Sequence, residues 1–167
     1  ASNDLLEVPR RSKPREHLHA HREIGEAGAE GLMVLHGEHR GGHQDGNLLA
    51  VHDRLEGGTG TNVLSGGDGD DLIISTSLTD SIDGGAGNDL ITGAGAGKNT
   101  ILGGADNDTL FGGAGDNTLD GGAGNNNITS DIGNDVIKGG IGNDTISSGD
   151  GDDTIASGGG IDSIDAG

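Results

Sequence analysis

The sequence predicts an all-β solenoid over its last two-thirds. Three observations carry that reading. From Gly57 onward the residues repeat in nines; the eighth place of every nine is Leu or Ile; and Gly supplies 37 of the 167 residues, 30 of them after Glu56. Strand and turn alternating at constant length stack one unit on the next, which is the logic of a solenoid.

The units read GGTGTNVLS (57–65), GGDGDDLII (66–74), STSLTDSID (75–83) and GGAGNDLIT (84–92). After one extra residue, Gly93, come AGAGKNTIL, GGADNDTLF, GGAGDNTLD, GGAGNNNIT, SDIGNDVIK, GGIGNDTIS, SGDGDDTIA and SGGGIDSID, making twelve units that end at Asp165. Position eight runs from Leu64 to Ile164 without exception, and position six is always Asp or Asn. The last three residues of a unit, such as Thr145-Ile146-Ser147, suit a very short strand with one aliphatic side chain facing inward. The six before them form a turn, in which Gly meets the demand for positive φ.

A single inward Leu or Ile per nine residues is a thin core. The repeats also carry 18 acidic residues against two bases, Lys98 and Lys138, for a net charge of −16. Self-repulsion of that size opposes compaction, so apolar burial alone should not hold the segment folded. Cations are the natural remedy. The turns offer hard oxygen ligands, carboxylates and glycine-bared carbonyls, which suit calcium better than magnesium; zinc would ask for His or Cys.

The units GGDGDDLII, GGAGNDLIT and GGIGNDTIS resemble the GGxGxDxUx nonapeptides of the RTX (repeats-in-toxin, haemolysin-type) calcium-binding family at every fixed position. The resemblance covers residues 57–165. It implies a right-handed parallel β-roll with two units per turn, and several calcium ions held between turns by Asp carboxylates and Gly carbonyls. The glycines so implied are Gly67 and Gly69, Gly85 and Gly87, Gly140 and Gly142. It also implies a secreted parent, such as a toxin, protease, lipase or adhesin, and passage through type I secretion machinery.

With two units per turn, the sixth positions fall into two rows. One holds Asp71, Asp89, Asp108, Asn126, Asp144 and Asp162; the other holds Asn62, Asp80, Asn99, Asn117, Asp135 and Asp153. Ligand charge governs calcium affinity, so the first edge should bind strongly and the second weakly. The best sites are expected between Asp71 and Asp89 and between Asp144 and Asp162, with Asp135 and Asp153 best on the weak edge. Asp106, where the family has Gly, should compromise the site between Asp89 and Asp108. Asn99 facing Asn117 should bind poorly, Lys98 should repel an ion, and the roll should be loose or bulged at Gly93.

Other classes are excluded or disfavoured. The net charge of −19 argues against a nucleic-acid partner, no stretch is long and apolar enough for a transmembrane segment, and the chain has no Cys. TGAGAGKNT at 92–100 fails two of the four fixed positions of a phosphate-binding loop. The DGDD runs at 68–71 and 150–153 lack the Glu an EF-hand requires. No HExxH, GxSxG or Cys nucleophile occurs, so no enzyme is expected within this chain.

Residues 1–56 differ in kind, with 10 acids, seven bases and all seven His. The composition change places a boundary after Glu56: a His/Arg-containing leader at 1–56, poorly ordered or the remnant of an upstream domain, and the calcium-binding roll at 57–167. The chain opens on Ala without a signal-peptide pattern and reads as a fragment or a processed piece. His17, His19 and His21, with His36, His39 and His43, read as a solvated leader rather than a metal site. Leu32–Leu35 and Leu48–Val51 are short apolar runs able to pair as strands, and a helix over 16–30 is weakened by Gly25 and Gly28. The expected function is calcium binding by a secreted module that folds on meeting extracellular calcium. The rivals are a fragment of a toxin, protease or lipase, and a structural solenoid with an adhesive or surface partner.

Overall fold

The computed structural model describes residues 32–36 as backbone and residues 52–76 and 79–167 in full. The expected helix over 16–30, the run Leu48–Val51 and His17, His19, His21, His39 and His43 lie outside the described residues.

The described strands are short and alternate between two sheets. In chain order they are β1 (Leu32–His36), β2 (Arg54–Glu56), β3 (Thr61–Asp68), β4 (Leu72–Ser75), β5 (Ser81–Ala86), β6 (Leu90–Gly93) and β7 (Thr100–Ala105). They continue as β8 (Thr109–Phe111), β9 (Thr118–Ala123), β10 (Asn127–Thr129), β11 (Val136–Ile141), β12 (Thr145–Ser147), β13 (Thr154–Gly159) and β14 (Ser163–Asp165). Odd-numbered strands make one seven-stranded sheet and even-numbered strands the other. Every pairing between these strands is parallel, and from β2 onward each joins equivalent residues of alternate units, Ile137 to Leu119 and Ile146 to Ile128 for example. The molecule is a parallel β-solenoid, of about six turns among the described residues.

The core is the stack of eighth-position side chains. From Leu64 to Ile146 each is at most 1% exposed, and their strand neighbours point outward, as a period of two requires. The stack opens at its C-terminal end, where Ile155 is partly buried and Ile164 is 49% exposed. Turns stack through hydrogen bonds such as Gly69 N–H to the Ala86 carbonyl, 2.7 Å. Gly87 shows why side chains are excluded there. Its φ is +126°, and a Cβ would collide with the Gly69 carbonyl of the turn before it.

β2 pairs with β4, Leu55 is 6% exposed within the core, and β1 pairs with β3, so strands on both sides of Glu56 join the same two sheets. Counting back from Gly57, residues 48–56 place Asp53 sixth and Leu55 eighth, so the period extends into the supposed leader even though its glycines do not. Gly93 is not a bulge. It pairs in register with Ser75 at the end of β6, and the extra residue is absorbed in the following turn, which lengthens the spacing from 18 to 19. Lys98, in the turn before β7, is exposed and its Nζ donates to Asp116 Oδ2 of the stacked turn at 2.6 Å.

Candidate calcium sites

The sixth-position residues form two continuous ladders, one along each edge where the turns stack. Along the first, the backbone N–H of Asp53 donates to Asp71 Oδ1 at 2.7 Å, that of Asp71 to Asp89 at 2.8 Å and that of Asp89 to Asp108 at 2.9 Å. It continues from Asp108 to Asn126, Asn126 to Asp144 and Asp144 to Asp162. Along the second, Asn62, Asp80, Asn99, Asn117, Asp135 and Asp153 are joined the same way. Each turn is thus tied to the next by a side-chain oxygen, and the carboxylates are drawn out of water to make the tie.

That arrangement occupies one oxygen and strands the other. Oδ2 of Asp71, Asp89, Asp108, Asp135, Asp144 and Asp153 is buried without a hydrogen-bond partner. A buried carboxylate lacking a donor is costly, and an acceptor placed before it adds repulsion. Such an acceptor is present. A Cβ placed on Gly103 would lie 2.5 Å from Asp108 Oδ2 and 2.7 Å from the Gly121 carbonyl oxygen, so both oxygens converge on the space beside Gly103. Gly66, Gly84 and Gly139 border the same kind of space, shared by Asp71, Asp89 and Asp144 with the carbonyls of Gly84, Gly103 and Ser157.

Electrostatics agree. Burial pushes the Asp89 carboxyl up to about 6 and that of Asp108 up to about 7, against the hydrogen bond each receives and with help from neighbouring acids. Burial raises Asp71 as well. On the outer surface the opposite holds: Asp116, hydrogen-bonded by Lys98, lies below the usual carboxylate range.

The donor set fits calcium: hard, anionic or carbonyl oxygens, in clefts of loose geometry with no nitrogen or sulfur ligand between them. Among the described residues no group of three or more His, Cys, Asp or Glu side chains gathers at one point. Any ion held here therefore takes one or two carboxylates and completes its shell from main-chain carbonyls.

The predicted site residues fall unevenly on this geometry. Asp71, Asp89, Asp108, Asp144, Asp135 and Asp153 each present a free Oδ2. Asp162, half-buried near the open end, receives the Asp144 N–H. Asp80 stands apart, because Asn62 engages its Oδ1 and Ser75 Oγ donates to its Oδ2 at 2.6 Å. Gly67, Gly69, Gly85, Gly87, Gly140 and Gly142 all take positive φ in the turns. Asp106, at the place of Gly69 and Gly87 in its unit, is forced to φ +79°. Sequence reasoning missed Asp53, which begins the first ladder, and the first-position glycines, whose lack of a side chain keeps the clefts open. The nine-residue period, run backward from Gly57, would have found the first.

A parallel solenoid whose edges set buried carboxylate oxygens beside main-chain carbonyl oxygens is a repeat protein with the donor chemistry of a cation binder. The model of the RTX calcium-binding nonapeptide repeat matches this chain in four copies, at residues 51–77, 74–95, 94–128 and 129–164. The chain belongs to that family, and the module is a calcium-binding β-roll. Neither a curated protein nor a solved structure gives a match. The first copy begins at residue 51, in keeping with a roll that starts ahead of Gly57.

Proposed function

We propose that this roll is a calcium-dependent folding module of a secreted protein, built as a right-handed coil of twelve or more nonapeptides with two to each turn. Where free calcium is scarce, the chain stays open under its own negative charge. In extracellular calcium it closes, stabilises its parent and aids passage through type I secretion machinery. Bound calcium supplies the positive charge that carboxylate and carbonyl oxygens of adjacent turns share. Binding energy then appears as folding energy. The module is structural rather than catalytic.

The six buried Oδ2 atoms without donors carry this reading. The ligands proposed are Asp71, Asp89, Asp108, Asp144 and Asp162 on one edge and Asp135 and Asp153 on the other, with carbonyls of the turn glycines. Asp80, already satisfied, contributes least. Calorimetric titration of the calcium-free chain tests it: uptake of several ions supports the proposal, and none at millimolar calcium refutes it.

One observation favours a second reading, an adhesive surface. On the even-numbered sheet Leu72 pairs with Leu90 and Thr92 with Phe111, and Leu90 and Phe111 are about two-fifths exposed. A pull-down with and without chelator separates an adhesive solenoid from a plain module.

A further inference from the structure

Three asparagines replace aspartate near the middle of the ladders, and their amides make bonds that no carboxylate could. Each keeps the turn-to-turn bond: Asn99, Asn117 and Asn126 accept on Oδ1 from the backbone N–H of Asp80, Asn99 and Asp108, at 3.1, 2.9 and 2.9 Å. With Oδ1 committed, Nδ2 must stand where aspartate has its second oxygen. Asn99 Nδ2 donates to the Gly93 and Gly112 carbonyls at 2.7 and 3.2 Å, and Asn117 Nδ2 to those of Gly113 and Gly115 at 2.9 and 2.8 Å. Asn126 Nδ2 points at the carbonyls of Gly124 and Gly139, 3.5 and 3.4 Å away.

Adjacent positions on one edge make the comparison direct. Beside Gly103 the cleft holds Asp108 Oδ2 and the Gly121 carbonyl, two acceptors; beside Gly121 it holds Asn126 Nδ2 and the Gly139 carbonyl, a donor and an acceptor. The same space that requires a cation in one turn is filled by an N–H in the next.

We propose that Asn99, Asn117 and Asn126 act as built-in substitutes for calcium, so that the roll has a calcium-independent centre between calcium-dependent flanks. The proposal rests on the calcium reading above. Both edges carry an amide there, on consecutive turns: Asn99 and Asn117 lead into β7 and β9 on one edge, and Asn126 leads into β10 on the other. Asp71 and Asp89 lie before this block, Asp108 lies within it on the edge opposite Asn99 and Asn117, and Asp135, Asp144 and Asp153 lie after it. The centre would order first, and ions would then extend it in both directions.

The test uses the full chain, with calcium uptake by calorimetry and hydrogen exchange in EDTA followed by peptide. In EDTA, amides of residues 100–128 should exchange at least about tenfold more slowly than those of 81–91 and 145–156. Asn117→Asp and Asn126→Asp should each take up additional calcium and lose the central protection in EDTA, with calcium restoring it. Asp108→Asn should do the reverse, taking up less calcium and exchanging more slowly in EDTA over 109–111. Exchange that is uniformly fast along the wild-type chain in EDTA overturns the proposal, as does an Asn117→Asp variant unchanged in both uptake and exchange. A wild-type chain that takes up no calcium overturns the calcium reading and this proposal together; normal wild-type uptake with unaltered variants overturns this proposal alone.

Discussion

Asp89 receives the backbone N–H of Asp71 on Oδ1 at 2.8 Å and holds Oδ2 buried with no donor at all. Asn117 receives the N–H of Asn99 in the same way at 2.9 Å, but its second atom is a donor already in use. The two residues make the same structural bond and differ in whether a cation is wanted.

Replacing each by alanine therefore separates structure from metal. Asp89→Ala and Asn117→Ala both remove one turn-to-turn hydrogen bond, worth about 0.5–1.5 kcal/mol. Only Asp89→Ala should also lower calcium affinity, by tenfold or more. Equal loss of affinity in a calcium titration of the two variants would show that the rows are wrongly assigned.

Protons should partly stand in for calcium. Asp89 and Asp108 sit at about 6 and 7 in the folded chain, raised chiefly by burial, against about 3.9 for aspartate in an unfolded one. Between these limits the folded state holds more protons, so its stability rises as pH falls. In calcium-stripped buffer the roll should be better ordered by circular dichroism at pH 5 than at pH 7.5. Greater order at pH 7.5 would contradict the burial of these carboxylates.

Asp106 is the sole described non-glycine residue at positive φ, where comparable units have Gly69, Gly87, Gly124 and Gly142. Asp106→Gly should relieve that strain and stabilise the calcium-loaded roll by about 1 kcal/mol. Urea unfolding of the two proteins in saturating calcium provides the check; a destabilised variant would mean the Asp106 side chain contributes to the fold.

The core should fail in proportion to burial. Leu110 is 0% exposed and Leu110→Ala should cost about 2–5 kcal/mol in calcium. Ile164, half exposed at the open end of the stack, should cost under about 1 kcal/mol as alanine. Similar losses in chemical denaturation would rule out a core that thins toward β14.

The solenoid, its inward Leu and Ile column and its two rows of sixth-position residues were legible because period nine imposes them. A strand shows alternate residues to the core, and an eighteen-residue turn brings every second unit into line. What escaped lay where that period carries no glycine or loses count. Asp53 and Leu55 have their places in a unit whose turn lacks GGxG, so composition alone put them outside. Gly93 looked like an insertion because a lengthened turn and a bulged strand read identically in one dimension. The satisfaction of Asp80 by Ser75, and the choice between donor and acceptor in each cleft, depend on atoms from different turns. Residue identity at the sixth position hinted at that choice, but only the stacked carbonyls show what the amides are bonded to.

Far-ultraviolet circular dichroism of the purified chain, recorded in millimolar calcium and again in excess EDTA, tests the central claim most directly. Calcium-stapled turns predict a β spectrum in calcium that largely collapses in EDTA, down to at most a small central remnant, and returns when calcium is restored. An identical, fully ordered spectrum in both conditions would contradict the claim that cations between the turns hold this roll together.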